Sequence, residues 1–183
     1  MRAAPLLIVV TGLPAAGKTT LAAFLGRELA LPVISKDDYK QVLLDLLPEE
    51  ERLAHHSEMG KVGYFVMLRA ADALLTAGQS LILETHFYVG MSEVNIIPLA
   101  EKHGAQIIQI HCSAEMAELK RRHAGRVEAK LRPYIDHPGL HNHLPANANW
   151  EPLELHAPLL RLDTGVSDAH AQALAWVRSW LAG

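Results

Sequence analysis

The stretch VVTGLPAAGKTTLAAFL, residues 9–25, decides the fold of this chain. It continues an apolar, β-rich run that starts at Leu6, passes through a loop bracketed by glycines, and ends in residues with helical spacing. The loop matches the pattern G-x-x-x-x-G-K-[ST] at every position. Glycines let such a loop turn tightly, so that its backbone N–H groups converge on a phosphate at the N-terminus of the next helix. The stretch therefore predicts a strand, a phosphate-binding loop and a helix in that order.

Within this loop, Lys18 is expected to bring its charge to the β- and γ-phosphate oxygens, and the Thr19 hydroxyl to be a ligand of Mg²⁺. The alternative is a glycine-rich turn that merely starts a helix. A β-rich strand directly upstream and an amphipathic helix directly downstream favour nucleotide binding instead. We therefore predict ATP and Mg²⁺ as cofactors, held by Gly12, Leu13, Pro14, Ala15, Ala16, Gly17, Lys18, Thr19 and Thr20.

Length, charge and cysteine content narrow the class of protein. At 183 residues the chain is long enough for one domain with a continuous core, and we predict a single domain over residues 1–183. Seventeen basic and 20 acidic side chains give a formal net charge of −3, so the chain lacks the basic excess that is typical of proteins that bind nucleic acid. The one cysteine, Cys112, excludes an intramolecular disulfide and favours a cytoplasmic location. The apolar run at 6–10 is too short to span a membrane.

Strand-like and helix-like segments alternate along the whole chain. Strands are expected at 6–10, 31–35, 80–84, 105–112 and 158–165, and helices at 18–29, 37–47, 57–76, 92–103, 114–130 and 167–181. Residues 132–157 lack periodicity and are expected to form a long mobile loop. The alternation predicts a three-layer α/β/α sandwich with a mainly parallel five-stranded sheet. Together with the phosphate loop, this resembles the fold of P-loop nucleoside-triphosphate hydrolases of the nucleotide-kinase type. A helical lid is expected at roughly 114–150.

Acidic residues follow two of the expected strands, at the edge where ligands bind in open α/β sheets. Asp37 and Asp38 follow the second strand, and Glu84 ends the third. One of the two aspartates is expected to cap the following helix, with Asp37 near the helix start, which leaves the other for an acceptor hydroxyl. Asp37 or Glu84 is also a candidate to hold Mg²⁺ through water. His86 is a candidate substrate contact, with a helix cap or a surface histidine as the alternative.

Basic residues cluster in the sequence ELKRRHAGR. Arg122 and Arg126 are four residues apart, so both guanidinium groups lie on one helix face and can converge on phosphate oxygens. Arg121 projects elsewhere. The alternative for the whole cluster is a solvated basic helix face. His137, His141 and His143 form a second cluster, which suits a metal site, a substrate contact or a polar surface loop.

Taken together, GLPAAGKTT, ISKDDYKQ, LILETHF, HCSAEMAELKRRHAGR and LRLDTG resemble the small P-loop kinases of the polynucleotide 5′-kinase and zeta-toxin type, in the same order along essentially the whole chain. The resemblance implies that Asp37 is the catalytic base and that Lys40 lies near an acceptor phosphate. It implies that Arg122 and Arg126 are lid arginines, one beside adenine and one at the β- and γ-phosphates. Thr164 and Gly165 would lie at the adenine edge.

A group of bacterial ATP-binding kinase proteins shares further features with this chain. These are the SKDD.K, LE..F and HC.A patterns and a His-Pro-Gly element, which here reads DHPGLH at 136–141. The group commonly has arginine before His-Pro-Gly, where this chain has Asp136. Polynucleotide kinases have aspartate at the strand end, where this chain has Glu84. Both departures concern the acceptor rather than the nucleotide.

We therefore interpret the chain as an ATP-dependent kinase with catalytic residues Lys18, Asp37, Arg122 and Arg126. The acceptor hydroxyl belongs to a small molecule or a nucleic-acid 5′-end, and Asp37, Asp38, Lys40, Glu84 and His86 would bind it. A nucleotide-dependent switch or ATPase that acts through a protein partner is the alternative, and a toxin-like sugar-nucleotide kinase is a third. Both a monomer and a dimer agree with the composition.

Overall fold

The computed structural model describes residues 4–130, 135–136 and 151–181. Its five strands are β1 (Leu6–Gly12), β2 (Val33–Ser35), β3 (Leu81–Glu84), β4 (Gln106–Ser113) and β5 (Leu159–Asp163). Its helices are α1 (Lys18–Leu29), α2 (Lys36–Asp45), α3 (Glu49–Arg52), α4 (His56–Thr76), α5 (Glu93–His103), α6 (Met116–Glu128) and α7 (Ala169–Leu181). Apart from the short α3 after Pro48, these are the elements that the sequence predicts.

The sheet is parallel throughout these strands and has the order β2-β3-β1-β4-β5. The central strand β1 is buried at all seven of its residues, as expected of a strand covered on both faces. Strands β2 and β3 lie on one side of β1, and strands β4 and β5 lie on the other. The crevice at the carboxyl end of β1 is therefore the place where the strand order reverses and where such sheets bind ligands.

Helices cover both faces of the sheet. One core contains Ile8 and Val10 of β1 together with apolar residues of α1, α6 and α7. The other contains Leu7 and Val9 of β1 together with apolar residues of α4 and α5. This arrangement confirms the predicted three-layer sandwich with a parallel five-stranded sheet.

Helix α2 packs closely against α4, and Gly63 makes that approach possible. A Cβ atom at Gly63 would lie 3.2 Å from both the carbonyl oxygen of Lys36 and the backbone nitrogen of Lys40. The start of α2 differs from the prediction, because Ser35 is its N-cap residue and Asp37 and Asp38 both lie inside the first turn. Neither aspartate is the cap, and both carboxylates are placed where the helix dipole favours negative charge.

The segment that precedes β5 corrects a second prediction. Residues 151–157 were expected to belong to a long mobile loop, but Leu153 and Leu155 are buried in the core beside α4 and α5. The Gln109 amide lies against this segment. With its oxygen and nitrogen assigned so that both are satisfied, the nitrogen donates to the Leu153 carbonyl at 3.0 Å and the oxygen accepts from the Leu153 N–H at 2.8 Å. Glu93 accepts from the Glu154 N–H at 3.1 Å. The sequence pattern that could have predicted this packing is the alternation of Leu153 and Leu155 with the polar residues Glu154 and His156.

Two further expectations concern the rest of the chain. His137, His141 and His143, and most of the lid expected at 114–150 beyond α6, lie outside the described residues. Within the ranges that the structure describes, no helix combines the length and the apolar character needed to cross a membrane.

We expect Leu153→Ala to destabilise the protein by about 2–5 kcal/mol, since it opens a cavity in the core. The matched control is Leu53→Ala, the same substitution at a side chain that is 77% exposed, and we expect it to change stability by less than about 0.5 kcal/mol. Urea unfolding followed by circular dichroism measures both. Equal, small effects would show that residues 151–157 do not contribute to the core.

Candidate functional site

The loop after β1 has the backbone geometry of a phosphate cradle. Gly12 has φ +139°, and a Cβ atom there would lie 2.1 Å from the Cys112 carbonyl oxygen on β4, so only glycine fits. Gly17 has φ +81° and is the N-cap residue of α1. Ala15 also has a positive φ, +65°, which the sequence gave no reason to expect of an alanine. Positive φ angles at Gly12, Ala15 and Gly17 are the backbone conformation expected of a loop that binds an anion at the start of α1.

Lys18 is buried, and its Nζ donates to the Leu13 carbonyl oxygen at 2.9 Å. Burial lowers the pKa of Lys18, because the charged ammonium loses its hydration. The negative charges of Glu84 and Asp37 act on this pKa in the opposite direction, and the positive charge of Arg126 lowers it further. Four groups named from the sequence thus interact at the carboxyl edge of the sheet.

Glu84 ends β3 directly beside Ser35, the last residue of β2. The carboxylate is 2% exposed and accepts a hydrogen bond from the Ser35 hydroxyl at 2.8 Å. A buried carboxylate requires such donors, because its desolvation would otherwise be costly. Ser35 was not singled out from the sequence, although its position before Asp37 at a strand end was a usable signal.

Asp37 lies in the first turn of α2 and is partly exposed, with its Oδ1 3.4 Å from the Nζ of Lys36. Asp38, the next residue, is exposed. Lys40 is buried between α2 and α4, where its Nζ contacts Nε2 of His56. Of these three residues, Asp37 is the one whose charge acts on the pKa of Lys18, whereas Lys40 lies in the packing of two helices.

His86 is half-buried and its Nδ1 lies 3.1 Å from the Gly12 carbonyl oxygen. Because a carbonyl can only accept, Nδ1 carries the proton in this contact, and Nε2 is the acceptor nitrogen of the neutral ring. Burial lowers the pKa of His86 to about 4, with the positive charges of Lys18 and Lys36 acting in the same direction. The ring therefore stays neutral around pH 7 and ties the loop after β3 to the first glycine of the phosphate loop.

Arg122 connects α6 to the turn after β5. Its guanidinium donates to the Thr164 hydroxyl at 3.0 Å, to the Thr164 carbonyl at 3.1 Å and to Glu118 at 2.7 Å. The Thr164 side chain is also the nearest neighbour of a Cβ built on Gly17, at 3.4 Å. Arg121 instead forms a surface ion pair with Glu118.

The turn after β5 is closed by a hydrogen bond in which the Gly165 N–H donates to Asp163 at 2.7 Å. Arg122, Thr164 and Gly165 thus lie at the β5 side of the loop.

Arg126 lies one turn after Arg122 on the same face of α6. Its Nη2 is 3.1 Å from Oδ1 of Asp136, a carboxylate that is almost fully buried. Nε2 of His123, also buried, lies 3.9 Å from the same oxygen. The sequence indicated the arginine but not these neighbours, because no local pattern connects Asp136 to α6.

Mg²⁺ is implied by the loop motif, and the residues present fit it. The Thr19 side chain is exposed at the first turn of α1, while the carboxylates of Asp37 and Glu84 act on the neighbouring Lys18. In the part of the chain that the structure describes, no three His, Cys, Asp or Glu side chains form a metal cluster. This donor set suits Mg²⁺, which keeps several waters and is usually bound through one or two protein oxygens and the phosphates of a nucleotide.

Comparison with solved structures places this geometry among P-loop kinase-like folds. A protein from Chloroflexus aurantiacus J-10-fl, provisionally described as a kinase, is 32% identical, covers 97% of this chain and 96% of its own, and superposes with a TM-score of 0.82. The APS kinase CysC of Mycobacterium tuberculosis, in complex with AMPPNP and APS, is 16% identical with full coverage of both chains and a TM-score of 0.64. A sugar kinase from Janibacter sp. HTCC2649 is 19% identical, covers 98% of this chain and 95% of its own, and has a TM-score of 0.60. The last two show the fold alone.

Comparison of sequences gives the family. No curated protein matches the chain. A family model described as an AAA domain, AAA_33, matches residues 7–137, which include the phosphate loop, both acidic strand ends and the arginines of α6. Since that match spans more than half of the chain, this protein belongs to the AAA_33 family of AAA domains.

Proposed function

We propose that this protein is an ATP-dependent kinase that transfers the γ-phosphoryl group of ATP to a hydroxyl group. The observation that carries the proposal is the strand arrangement: Glu84 ends β3 beside β1 and next to Ser35, and Asp37 follows Ser35 in the first turn of α2, at the edge of the sheet from which the phosphate loop leaves β1. A phosphate loop alone accounts for nucleotide binding. Carboxylates beside its lysine supply what an alcohol acceptor requires, a group that orients the hydroxyl and takes its proton.

In the proposed reaction, the acceptor oxygen attacks the γ-phosphorus and forms the new P–O bond. The bond between the γ-phosphorus and the β–γ bridging oxygen breaks, and ADP leaves. The acceptor proton passes to the Asp37 carboxylate. Mg²⁺ would supply charge neutralisation at the phosphates, with Thr19 as its ligand.

The protein contributes mainly position and charge, because phosphoryl transfer passes through a loose transition state. Lys18 and Arg126 bring two positive charges to the phosphates, and the negative charge of the buried Glu84 opposes the lowering of the Lys18 pKa. Arg122 holds α6 against Thr164 and so closes the β5 side of the nucleotide site. We also propose that residues 1–183 act as one domain with α6 as the start of a lid.

The acceptor is the open part of the proposal. A polynucleotide 5′-end, a nucleoside, a sugar or an aminoglycoside would each present a suitable hydroxyl. The relative from Chloroflexus aurantiacus supports a kinase without indicating an acceptor, and the sugar kinase and APS kinase share the fold with different acceptors.

The test is a panel of these four acceptor classes incubated with Mg-ATP, in which acceptor-dependent ADP release is measured and the phosphorylated product is identified by mass spectrometry. If the protein is a kinase, the rate of ADP release should rise with the concentration of one acceptor class. ADP release that depends on a second protein, with no phosphorylated acceptor, would instead support a nucleotide-dependent switch.

We expect Asp37→Asn to lower kcat by about 10²–10⁴-fold with little change in the Kd for ATP, because it removes the proton acceptor but leaves the phosphate loop intact. The matched control is Asp45→Asn at the last residue of the same helix, which we expect to leave kcat within about twofold. Steady-state kinetics with the acceptor from the panel, and calorimetry with ATP, measure the two effects. Unchanged turnover in Asp37→Asn would contradict the role of this carboxylate.

We expect Lys18→Met to abolish nucleotide binding without lowering the unfolding temperature of the protein alone. The pKa of Lys18 is lowered on folding, so at pH 7 its charge costs stability, a cost that would fade only as the pH rises toward 10.5. Thermal unfolding with and without Mg-ATP tests both parts. The wild type gains about 2.7 kcal/mol at an ATP concentration 100 times Kd, and the variant gains none.

The exposed lysine Lys61 on α4 provides the control, since Lys61→Met removes the same charge from a side chain outside the phosphate loop. It should keep the full ATP-dependent increase in unfolding temperature. An increase of normal size in Lys18→Met would contradict the nucleotide site itself.

A further inference from the structure

The loop after β3 presents an exposed aromatic side chain close to the phosphate loop. Tyr88 is 56% exposed. Its ring meets the ring of His86 edge to face, with the ring centroids 4.9 Å apart and an angle of 88° between the ring planes. Nδ1 of His86 in turn lies 3.1 Å from the Gly12 carbonyl oxygen. Two direct contacts in series therefore connect the Tyr88 ring to the first glycine of the phosphate loop.

The backbone of this loop is anchored, so the exposed ring has a defined position. Phe87 is 3% exposed and packs in the core, where its ring centroid lies 6.4 Å from that of Tyr64. The buried Ser92 is bonded to Tyr88 in both directions. The Tyr88 N–H donates to Ser92 Oγ at 2.9 Å, and the Ser92 N–H donates to the Tyr88 carbonyl at 2.9 Å. An aromatic side chain held in this way offers contact area to a ligand at a small loss of conformational entropy.

Tyr88 lies on the side of β1 that the proposed function gives to the acceptor. Asp37 follows β2 and Tyr88 follows β3, and both strands lie on the same side of β1. Arg122 and Thr164, which contact each other at 3.0 Å, belong to the other side, where the proposed function places the nucleotide. This position favours a contact of the Tyr88 ring with the acceptor.

The exposed surface of the Tyr88 ring is flat and apolar. An edge-to-face contact with His86 covers at most one face of the ring, which agrees with the large exposed fraction of Tyr88. Met91 adds a second exposed apolar side chain at the same turn, and its N–H donates to the Tyr88 carbonyl at 3.1 Å. Aromatic faces of this kind stack on other flat rings, in addition to burying apolar area.

We propose that Tyr88 is a specificity-determining residue, which stacks on a flat aromatic ring of the acceptor. The inference rests on the proposed function, because it concerns the acceptor of that reaction. It adds the chemical class of that acceptor, an alcohol that carries an aromatic ring. Nucleosides and aryl alcohols share this chemistry, whereas sugars and aminoglycosides have saturated rings.

The test uses the full chain with saturating Mg-AMPPNP, which fills the nucleotide site so that a probe does not bind there. Uridine and benzyl alcohol are hydroxyl probes with a flat ring from the two sources, and glucose and kanamycin are hydroxyl probes with saturated rings. Calorimetry measures the Kd of each. We expect the wild type to bind uridine or benzyl alcohol about tenfold more tightly than either saturated probe, because one stacked ring provides discrimination of this size.

Substitutions at Tyr88 then test the stacking itself. Tyr88→Ala should weaken the binding of the flat-ring probe by about 5–150-fold, the range found when one stacked ring is removed. Tyr88→Phe keeps the ring and should keep the affinity, whereas Tyr88→Leu keeps an apolar side chain without a flat face and should lose most of it. All three should leave the Kd for Mg-AMPPNP unchanged and the unfolding temperature within about 2 °C, because the side chain is exposed.

Phe65 on α4 provides the matched control. It is also an exposed aromatic residue, at 62%, and its ring meets that of Tyr64 edge to face with the centroids 5.6 Å apart. Phe65→Ala removes an aromatic ring outside the loop that follows β3, and should bind every probe as the wild type does. Equal losses in Phe65→Ala and Tyr88→Ala would contradict a specific role of Tyr88.

Three further results would overturn the inference. They are undiminished binding of the flat-ring probe by Tyr88→Ala, a preference of the wild type for glucose or kanamycin, and binding of none of the four probes. Phosphorylation of a sugar or an aminoglycoside in the acceptor panel would leave the proposed function standing and overturn the inference alone. If the wild type did not bind Mg-AMPPNP, the proposed function would fail together with the inference.

Discussion

The approach of β1 to β4 at Gly12 is the constraint on which the rest of the structure depends. Backbone from Cys112 fills the space where any side chain at residue 12 would lie. The chain can therefore leave β1 at the centre of the sheet and turn at once into the phosphate loop. Because the strand order reverses at β1, this turn opens into the crevice where β2 and β3 deliver acidic residues from one side. The turn after β5 and α6 approach from the other side.

A second constraint is the balance of charge in this crevice. Lys18 is buried at a cost that its lowered pKa records, and the carboxylates of Glu84 and Asp37 offset that cost only in part. Arg126 adds positive charge and has its own carboxylate in Asp136. The site thus combines buried and partly exposed charges of both signs. This arrangement suits a polyanionic ligand, and it lowers the stability of the fold without one. Sites that bind or transform charged groups commonly show this compromise.

The sequence predicted those parts of the protein that depend on neighbouring residues. The phosphate loop, the alternation of strands and helices, and the acidic residues at strand ends all follow from patterns within a few residues. The cap of α2 was wrongly predicted because Ser35, Asp37 and Asp38 are all good capping residues, and only the β2–β3 pairing decides where the helix begins. Residues 151–157 were wrongly predicted because their burial depends on Gln109, a side chain in a distant strand. The contact of Arg126 with Asp136 depends on the path of the chain after α6, which no local pattern gives.

The hydrogen bond between His86 and the Gly12 carbonyl joins the loop after β3 to the phosphate loop. An acceptor that displaces the first loop must therefore act on the second, and a nucleotide that orders the second must act on the first. Linkage requires such an influence to be mutual, so each ligand changes the affinity for the other by the same factor. For the proposed kinase, this one contact predicts that the two substrates bind in a coupled way rather than independently.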